Sequence, residues 1–205
     1  MDAVTFTFRN RDLVPGPPST LGGWESWDVV AVLNRLAAEG VPREKMLLVG
    51  TSQGAGVALL ALEQVEQDGK GPLGGALLES PYEDLVAAAK NHLRGTLGRA
   101  EWLLRPGEHL ALARAGHLAH FKPMGVSPKE ASKKIQTPIA LLTGDADDVT
   151  PLQGVKRISV YHPDLTIVLG AHHLEAGSMV AGGWKAWAWP RLGKWGFKSS
   201  GPEGM

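Results

Sequence analysis

Four short apolar runs punctuate the chain and predict buried β-strands. They cover residues 45–50 (KMLLVG), 73–78 (LGGALL), 138–143 (PIALLT) and 165–169 (LTIVL). Short runs of this kind, bounded by turn residues, are typical of parallel strands that are covered on both faces. Residues 3–8 (AVTFTF) are β-branched and aromatic, and they predict a further strand near the start of the chain.

Between these runs the apolar positions change to a helical spacing. Residues 24–39 and 54–67 each carry apolar side chains at intervals of three and four, and Gly40 ends the first of these segments. Strands that alternate with helices favour a parallel sheet with helices on both faces. We therefore expect an α/β fold, organised as a three-layer sandwich with a mainly parallel sheet.

Two segments depart from this alternation. Residues 84–134 have no strong strand signal and contain helical pieces at 85–93 and 108–115, so we expect a helical cap insertion over about 81–136. Residues 182–205 hold four tryptophans among Gly, Lys and Pro without a clean period, and the pattern assigns them no structure. The whole chain, residues 1–205, is expected to form a single domain.

Composition narrows the possible partners and compartments. The 205 residues carry 21 basic and 21 acidic side chains, so the balance does not favour nucleic acid or an anionic membrane as a partner. The absence of cysteine excludes disulfides, thiolate metal sites and cysteine nucleophiles, and it is compatible with the cytoplasmic location that we expect. The sequence contains no run of about 18 apolar residues, so no membrane span is expected.

The sequence Gly50-Thr51-Ser52-Gln53-Gly54 matches the pattern G-x-S-x-G directly after a predicted strand and directly before a predicted helix. This context is the one that a nucleophile elbow requires, with Ser52 as nucleophile and the backbone N–H of Gln53 as one oxyanion donor. The alternative is an ordinary glycine-rich turn with a solvent-facing serine. A phosphate-binding loop is disfavoured because no G-K-[ST] sequence follows.

A serine nucleophile needs a base and a residue that orients the base. Acidic residues follow the run at 138–143, and two histidines follow the run at 165–169, in the order Ser, acid, His; they are Asp145, Asp147, Asp148, His172 and His173. All should meet Ser52 at the carboxyl edge of the sheet. A metal site is disfavoured because the histidines are adjacent and lack ligand spacing, and no cofactor is expected.

With these motifs the sequence resembles the α/β-hydrolase superfamily, in particular small bacterial esterase- or peptidase-like members, from about residue 4 to 176. The stretch 143–151 (TGDADDVTP) is similar to the family's acid loop, and this similarity selects Asp147. The stretch 170–173 (GAHH) is similar to Gly-Ala-Gly-His and selects His173. The resemblance implies a serine hydrolase that cleaves an ester, thioester or peptide-type acyl bond in a small-molecule substrate.

The sequence also differs from the family pattern at its start. Residues 5–11 (TFTFRNR) look like the fourth strand of the family, so the three preceding strands and the loop with the second oxyanion donor are not seen. We therefore expect an incomplete sheet, marginal stability and weak catalysis. The alternative function is a catalytically weak or inactive protein of this fold with a binding role.

Overall fold

The computed structural model describes residues 2–9, 18–97 and 105–197. Twelve helices and strands follow one another in these residues: α1 (Glu25–Ala38), β1 (Leu47–Thr51), α2 (Gln53–Glu66), β2 (Gly75–Glu79), α3 (Leu85–Leu97), α4 (Arg105–Leu118), α5 (Pro128–Ser132), β3 (Ile139–Gly144), α6 (Leu152–Ser159), β4 (Asp164–Val168), α7 (Ala176–Met179) and α8 (Gly183–Lys194). Two short 3₁₀ turns, Arg43–Lys45 and Pro123–Gly125, lie between them.

The four strands form one parallel sheet in the order β1-β2-β3-β4. All four correspond to the predicted apolar runs, with ends that differ by one or two residues. The two inner strands are buried along their whole length, as expected for strands with neighbours on both sides and helices on both faces. β1 is paired only with β2 among the described residues, and its Val49 side chain is 56% exposed.

Helices cover both faces of the sheet, so the prediction of a three-layer α/β sandwich is confirmed. Side chains of α1, α2 and α6 pack with one face of the strands in the larger core, which includes Leu33, Leu59, Leu78, Leu141 and Ile158. The opposite face packs against α7 and α8 in a second core. Adjacent strand residues such as Leu77 and Leu78 enter different cores because strand side chains alternate between faces.

The prediction of a strand at residues 3–8 is wrong. This segment pairs with no strand among the described residues, although Phe8 packs against the larger core and the Arg9 guanidinium forms a salt bridge with Asp28. Strand propensity identifies residues that suit a pleated surface, but a strand also needs an adjacent edge with which to pair. Asn10 and Arg11 of the motif TFTFRNR lie outside the described residues.

The tail that had no assignable pattern contains α8. Trp187, Ala188 and Leu192 of this helix are buried against the sheet, and the Arg191 guanidinium binds the carboxylate of Asp164 at the start of β4. Pro190 inside the helix and the glycines around it conceal the helical period in the sequence. Residues 198–205 lie outside the described residues.

No strand lies in the described part of the chain between β2 and β3, which contains α3, α4 and α5. α3 and α4 contact the 3₁₀ turn Pro123–Gly125, whereas α5 packs against α2 and α6. The cap insertion over 81–136 remains a prediction, and its residues 98–104 are outside the described set. None of the helices in the described ranges is long and apolar enough to cross a membrane.

Candidate active site

Ser52 lies in a sharp turn between β1 and α2. Its backbone has φ 49° and ψ −116°, a conformation that is uncommon for a residue with a side chain. Gly50 makes the turn possible because a Cβ atom there would lie 2.7 Å from the backbone of Gly54. The turn leaves Ser52 at the N-terminus of α2, where its carbonyl accepts hydrogen bonds from the N–H groups of Ala55 and Gly56.

His173 reaches Ser52 from the loop after β4. Its Nε2 atom lies 2.8 Å from Ser52 Oγ, and its Nδ1 atom lies 2.9 Å from Asp147 Oδ2. The imidazole side chain is 20% exposed, so the ring is only partly accessible to solvent. His172, the adjacent histidine, is exposed, and its backbone N–H donates to the Glu175 carboxylate instead.

Asp147 lies in the loop after β3 and has a fully buried side chain. Its carboxylate accepts hydrogen bonds from the backbone N–H groups of Val149 and Thr150, at 3.0 and 2.8 Å, and from the Thr150 hydroxyl at 2.7 Å. Burial by itself raises the pKa of Asp147, but the hydrogen bonds from His173 and Thr150 outweigh burial and hold this pKa below its usual range. The carboxyl group is therefore ionised at neutral pH.

The ionised state of Asp147 fixes the tautomer of His173. A carboxylate can only accept, so Nδ1 of the imidazole carries the hydrogen that is shared with Asp147. Nε2 then has a lone pair, and the Ser52 hydroxyl donates to it. This arrangement can remove a proton from Ser52 as its oxygen forms a bond to carbon.

Close backbone contacts hold the acid loop against the histidine loop. The Asp145 carboxylate accepts from the Gly170 N–H at 2.6 Å, and the Ala146 N–H donates to the Ala171 carbonyl at 3.1 Å. A Cβ atom at Gly144 would lie 2.0 Å from that same carbonyl oxygen, so the approach requires glycine. Asp145 thus joins the two loops, while the exposed side chain of Asp148 lies outside the group of Ser52, His173 and Asp147.

Thr150 is a part of the site that sequence reasoning missed. Its hydroxyl donates to Asp147 Oδ2 and lies 3.4 Å from His173 Nδ1. The spacing Asp-x-x-Thr is a usable signal, because a carboxylate in a turn often accepts from backbone and hydroxyl groups two or three residues later. No cluster of three or more His, Cys, Asp or Glu side chains in the described part of the chain is arranged to hold a metal ion.

Comparison with known proteins gives matches among solved structures. An esterase from Pyrococcus furiosus superposes with a TM-score of 0.65 at 21% identity, over 92% of this chain and 68% of that one. A puromycin-hydrolysing peptidase from Mycobacterium tuberculosis gives 0.60 at 20% identity, over 88% of this chain and 27% of that one. A propionate-bound esterase from Thermogutta terrifontis gives 0.57 at 22% identity, over 88% and 66%.

Sequence comparisons add no closer relative: no protein-family model matches the chain, and no curated protein matches it. At about one fifth identity the structural matches carry information on the fold and not on the activity. These neighbours share the parallel sheet with helices on both faces that the described residues form. The chain therefore has the α/β-hydrolase fold.

Proposed function

We propose that this protein is a serine hydrolase that cleaves an ester, thioester or peptide-type acyl bond. The observation that carries the proposal is the continuous hydrogen-bonded chain from Ser52 Oγ through His173 to Asp147, with distances of 2.8 and 2.9 Å. The strained backbone of Ser52, with φ 49° and ψ −116°, supports it, since strained residues often occur at functional sites. Esterases and peptidases among the structural neighbours agree with this class of reaction.

In the proposed reaction, Ser52 Oγ attacks the acyl carbon while His173 Nε2 takes the hydroxyl proton. The negative charge that develops on the carbonyl oxygen is stabilised by the backbone N–H of Gln53, the first residue of α2. His173 then gives its proton to the leaving group, and an acyl–Ser52 ester remains. Water attacks this ester with His173 again as base, which releases the acid and restores the serine.

Asp147 has a positioning and electrostatic role in this scheme. It holds the Nδ1 proton of His173 and stabilises the imidazolium that forms during each proton transfer. The hydrogen bonds from Thr150 restrain the carboxylate and keep it ionised, since they favour its charged form. The carboxylate itself is not protonated during the reaction.

The alternative function is a weakly active or inactive protein of this fold that binds an acyl compound. One observation favours it: within the described residues we assign only one oxyanion donor, Gln53. Loss of one such donor typically lowers turnover by about 10²–10³-fold, so slow catalysis is consistent with an intact Ser52–His173 pair.

Turnover of a p-nitrophenyl short-chain ester tests the proposal. The wild-type protein should release p-nitrophenol above the uncatalysed rate, and Ser52→Ala should lower kcat by about 10⁴-fold or more. Ser159→Ala is the matched control, because Ser159 lies at the end of α6, at the opposite edge of the sheet, and donates to the Lys156 carbonyl. Equal turnover by wild-type protein and Ser52→Ala would overturn the proposal, and stoichiometric acylation of Ser52 without turnover would favour the binding alternative.

A further inference from the structure

Glu79 is an ionisable residue at the carboxyl end of an inner strand of the sheet. It is the last residue of β2, lies in register with Thr51 of β1 and Leu142 of β3, and is only 6% exposed. The other four residues of β2 are Gly, Ala and two leucines, all buried. Burial of a carboxyl group among such neighbours is costly unless the group is hydrogen-bonded, so its contacts indicate what it does.

The main chain of Glu79 holds the nucleophile turn. Its carbonyl oxygen accepts the backbone N–H of Ser52 at 2.8 Å, which extends the β1–β2 ladder by one hydrogen bond into the turn. This hydrogen bond restrains the backbone of Ser52, whose φ is 49°. The position of Ser52 is therefore tied directly to the end of β2.

The side chain of Glu79 holds the segment that follows the histidine. Its Oε1 atom accepts the backbone N–H of Gly177 at 2.8 Å, across a sequence separation of 98 residues. Gly177 is buried in α7, the short helix that starts three residues after His173. A Cβ atom at Gly177 would lie 3.0 Å from Glu79 Oε2, so the carboxyl group lies closely against this backbone.

A second buried carboxyl group in the same chain shows a different pattern. Glu25 accepts hydrogen bonds from the backbone of Thr20 and Gly22 and from the hydroxyls of Ser19 and Thr20, all within six residues in sequence. Its contacts cap the local turn before α1. The contacts of Glu79 instead connect two segments that are far apart in sequence: the turn that carries Ser52, and α7, which follows the loop that carries His173.

We propose that Glu79 is a positioning residue that sets the separation between Ser52 and His173. The inference rests on the proposed function, because its consequence is read through that reaction. Glu79 binds the nucleophile turn with its carbonyl oxygen and α7 with its carboxyl group. The distance of 2.8 Å between Ser52 Oγ and His173 Nε2 therefore depends on two hydrogen bonds to this single residue. Without the acceptor at Oε1, the Gly177 N–H loses its partner and α7 moves away from β2.

Leucine and glutamine at position 79 separate this role from simple packing. Glu79→Leu removes the acceptor at similar volume and should lower kcat by about 10²-fold with little change in KM, the cost expected for a displacement of about 1 Å. Glu79→Gln keeps an oxygen acceptor for Gly177 and should recover most of kcat. Rates are expressed per site that a fluorophosphonate has labelled at the end point of a long incubation, so that neither loss of folded protein nor slow labelling counts as loss of catalysis.

Glu25→Gln is the matched control, since it alters a buried carboxyl group that binds backbone N–H groups but does not contact the site loops. It should lower the melting temperature without changing kcat per labelled site. The positioning role is overturned if Glu79→Leu retains wild-type kcat per labelled site, or if Glu79→Gln falls as far as Glu79→Leu.

A spectroscopic measurement keeps this test separate from that of the reaction itself. The proton on His173 Nδ1, shared with Asp147, should give a low-field ¹H NMR resonance in the wild-type protein and in Ser52→Ala. Glu79→Leu should broaden or shift this resonance, and Glu79→Gln should restore it. If neither the wild-type protein nor any variant turns over substrate, the proposed function fails. The positioning role is still tested: an unchanged resonance in Glu79→Leu contradicts it, and loss of the resonance in that variant supports it.

Discussion

His173 Nε2 lies 2.8 Å from Ser52 Oγ, although the two residues are 121 positions apart in the chain. The contact forms because β1 and β4 are parallel and both lead into loops at the same edge of the sheet. The imidazole is oriented on its other side by Asp147, which follows β3. Three separate strands therefore contribute to one short hydrogen-bonded chain.

His173, and not the adjacent His172, is expected to act as the base. His173→Ala should lower ester turnover by several orders of magnitude because no other imidazole contacts Ser52 in the described residues. His172→Ala should retain activity close to that of the wild type, since its side chain is exposed. Parallel kinetics of the two variants check this prediction, and a larger loss in His172→Ala would reverse the assignment.

Asp147→Asn should abolish most of the activity without removing the hydrogen bonds that the backbone N–H groups of Val149 and Thr150 donate to the side-chain oxygen Oδ1. An amide N–H₂ group that faces His173 Nδ1 favours the tautomer with a proton on Nε2, which cannot accept the proton of Ser52. In serine proteases with this arrangement, loss of the correct tautomer costs about 10⁴-fold in kcat. Retention of near-wild-type kcat would show that Asp147 does not orient the base.

The order of elements could be predicted from the sequence because it depends on local pattern. The runs that became β2 and β3 are apolar throughout, and the motif around Ser52 lies at a strand–helix junction in the sequence itself. Chain order and strand ends limit the acid to Asp145, Asp147 or Asp148 and the base to His172 or His173. The choice of Asp147 and His173 comes from the resemblance of these two loops to those of the α/β-hydrolase superfamily.

Features that depend on tertiary contacts could not be predicted in this way. Residues 3–8 have strand propensity but form no ladder with the described strands, whereas α8 forms because Trp187 and Leu192 pack against the sheet face despite Pro190. The roles of Thr150 and Glu79 depend on the direction of one side chain and on contacts across the sheet. A linear pattern does not encode these directions.

Thr150→Val should lower kcat by about tenfold, because a hydrogen bond to a charged group contributes about 1.5–3 kcal/mol. The hydroxyl donates to Asp147 Oδ2, so its loss weakens the orientation of the carboxylate that holds His173. Thr150→Ser keeps the hydroxyl and is the matched control. Steady-state kinetics on both variants check the prediction, and an equal loss in the serine variant would assign the effect to packing of the methyl group.

His162 makes the stability of the protein depend on pH. Burial lowers its pKa, although the carbonyl of Ser132 and the charge of Glu66 act in the opposite direction. As the pH falls below the ordinary imidazole value of 6.5, the unfolded chain binds the proton first, so the free energy of unfolding decreases until the pH passes the lower folded-state pKa.

His162→Gln can still donate to the Ser132 carbonyl but does not titrate in this range, so it should remove this decrease. Urea unfolding of both proteins at a series of pH values between neutral and mildly acidic checks the effect. Identical pH dependence of stability in the two proteins would show that His162 is not responsible. Asp147 acts in a separate window, because its lowered pKa makes its stabilising contribution disappear only at pH below 3.8, the ordinary value for Asp.

Labelling by a fluorophosphonate probe, followed by peptide mass spectrometry, tests the central claim that Ser52 is an activated nucleophile. The account predicts that the probe is attached at Ser52 and at no other serine, that Ser52→Ala is not labelled, and that His173→Ala is labelled far more slowly than the wild type, because the Ser52 hydroxyl then has no base. Undiminished labelling of Ser52→Ala, or attachment at another serine, would contradict it.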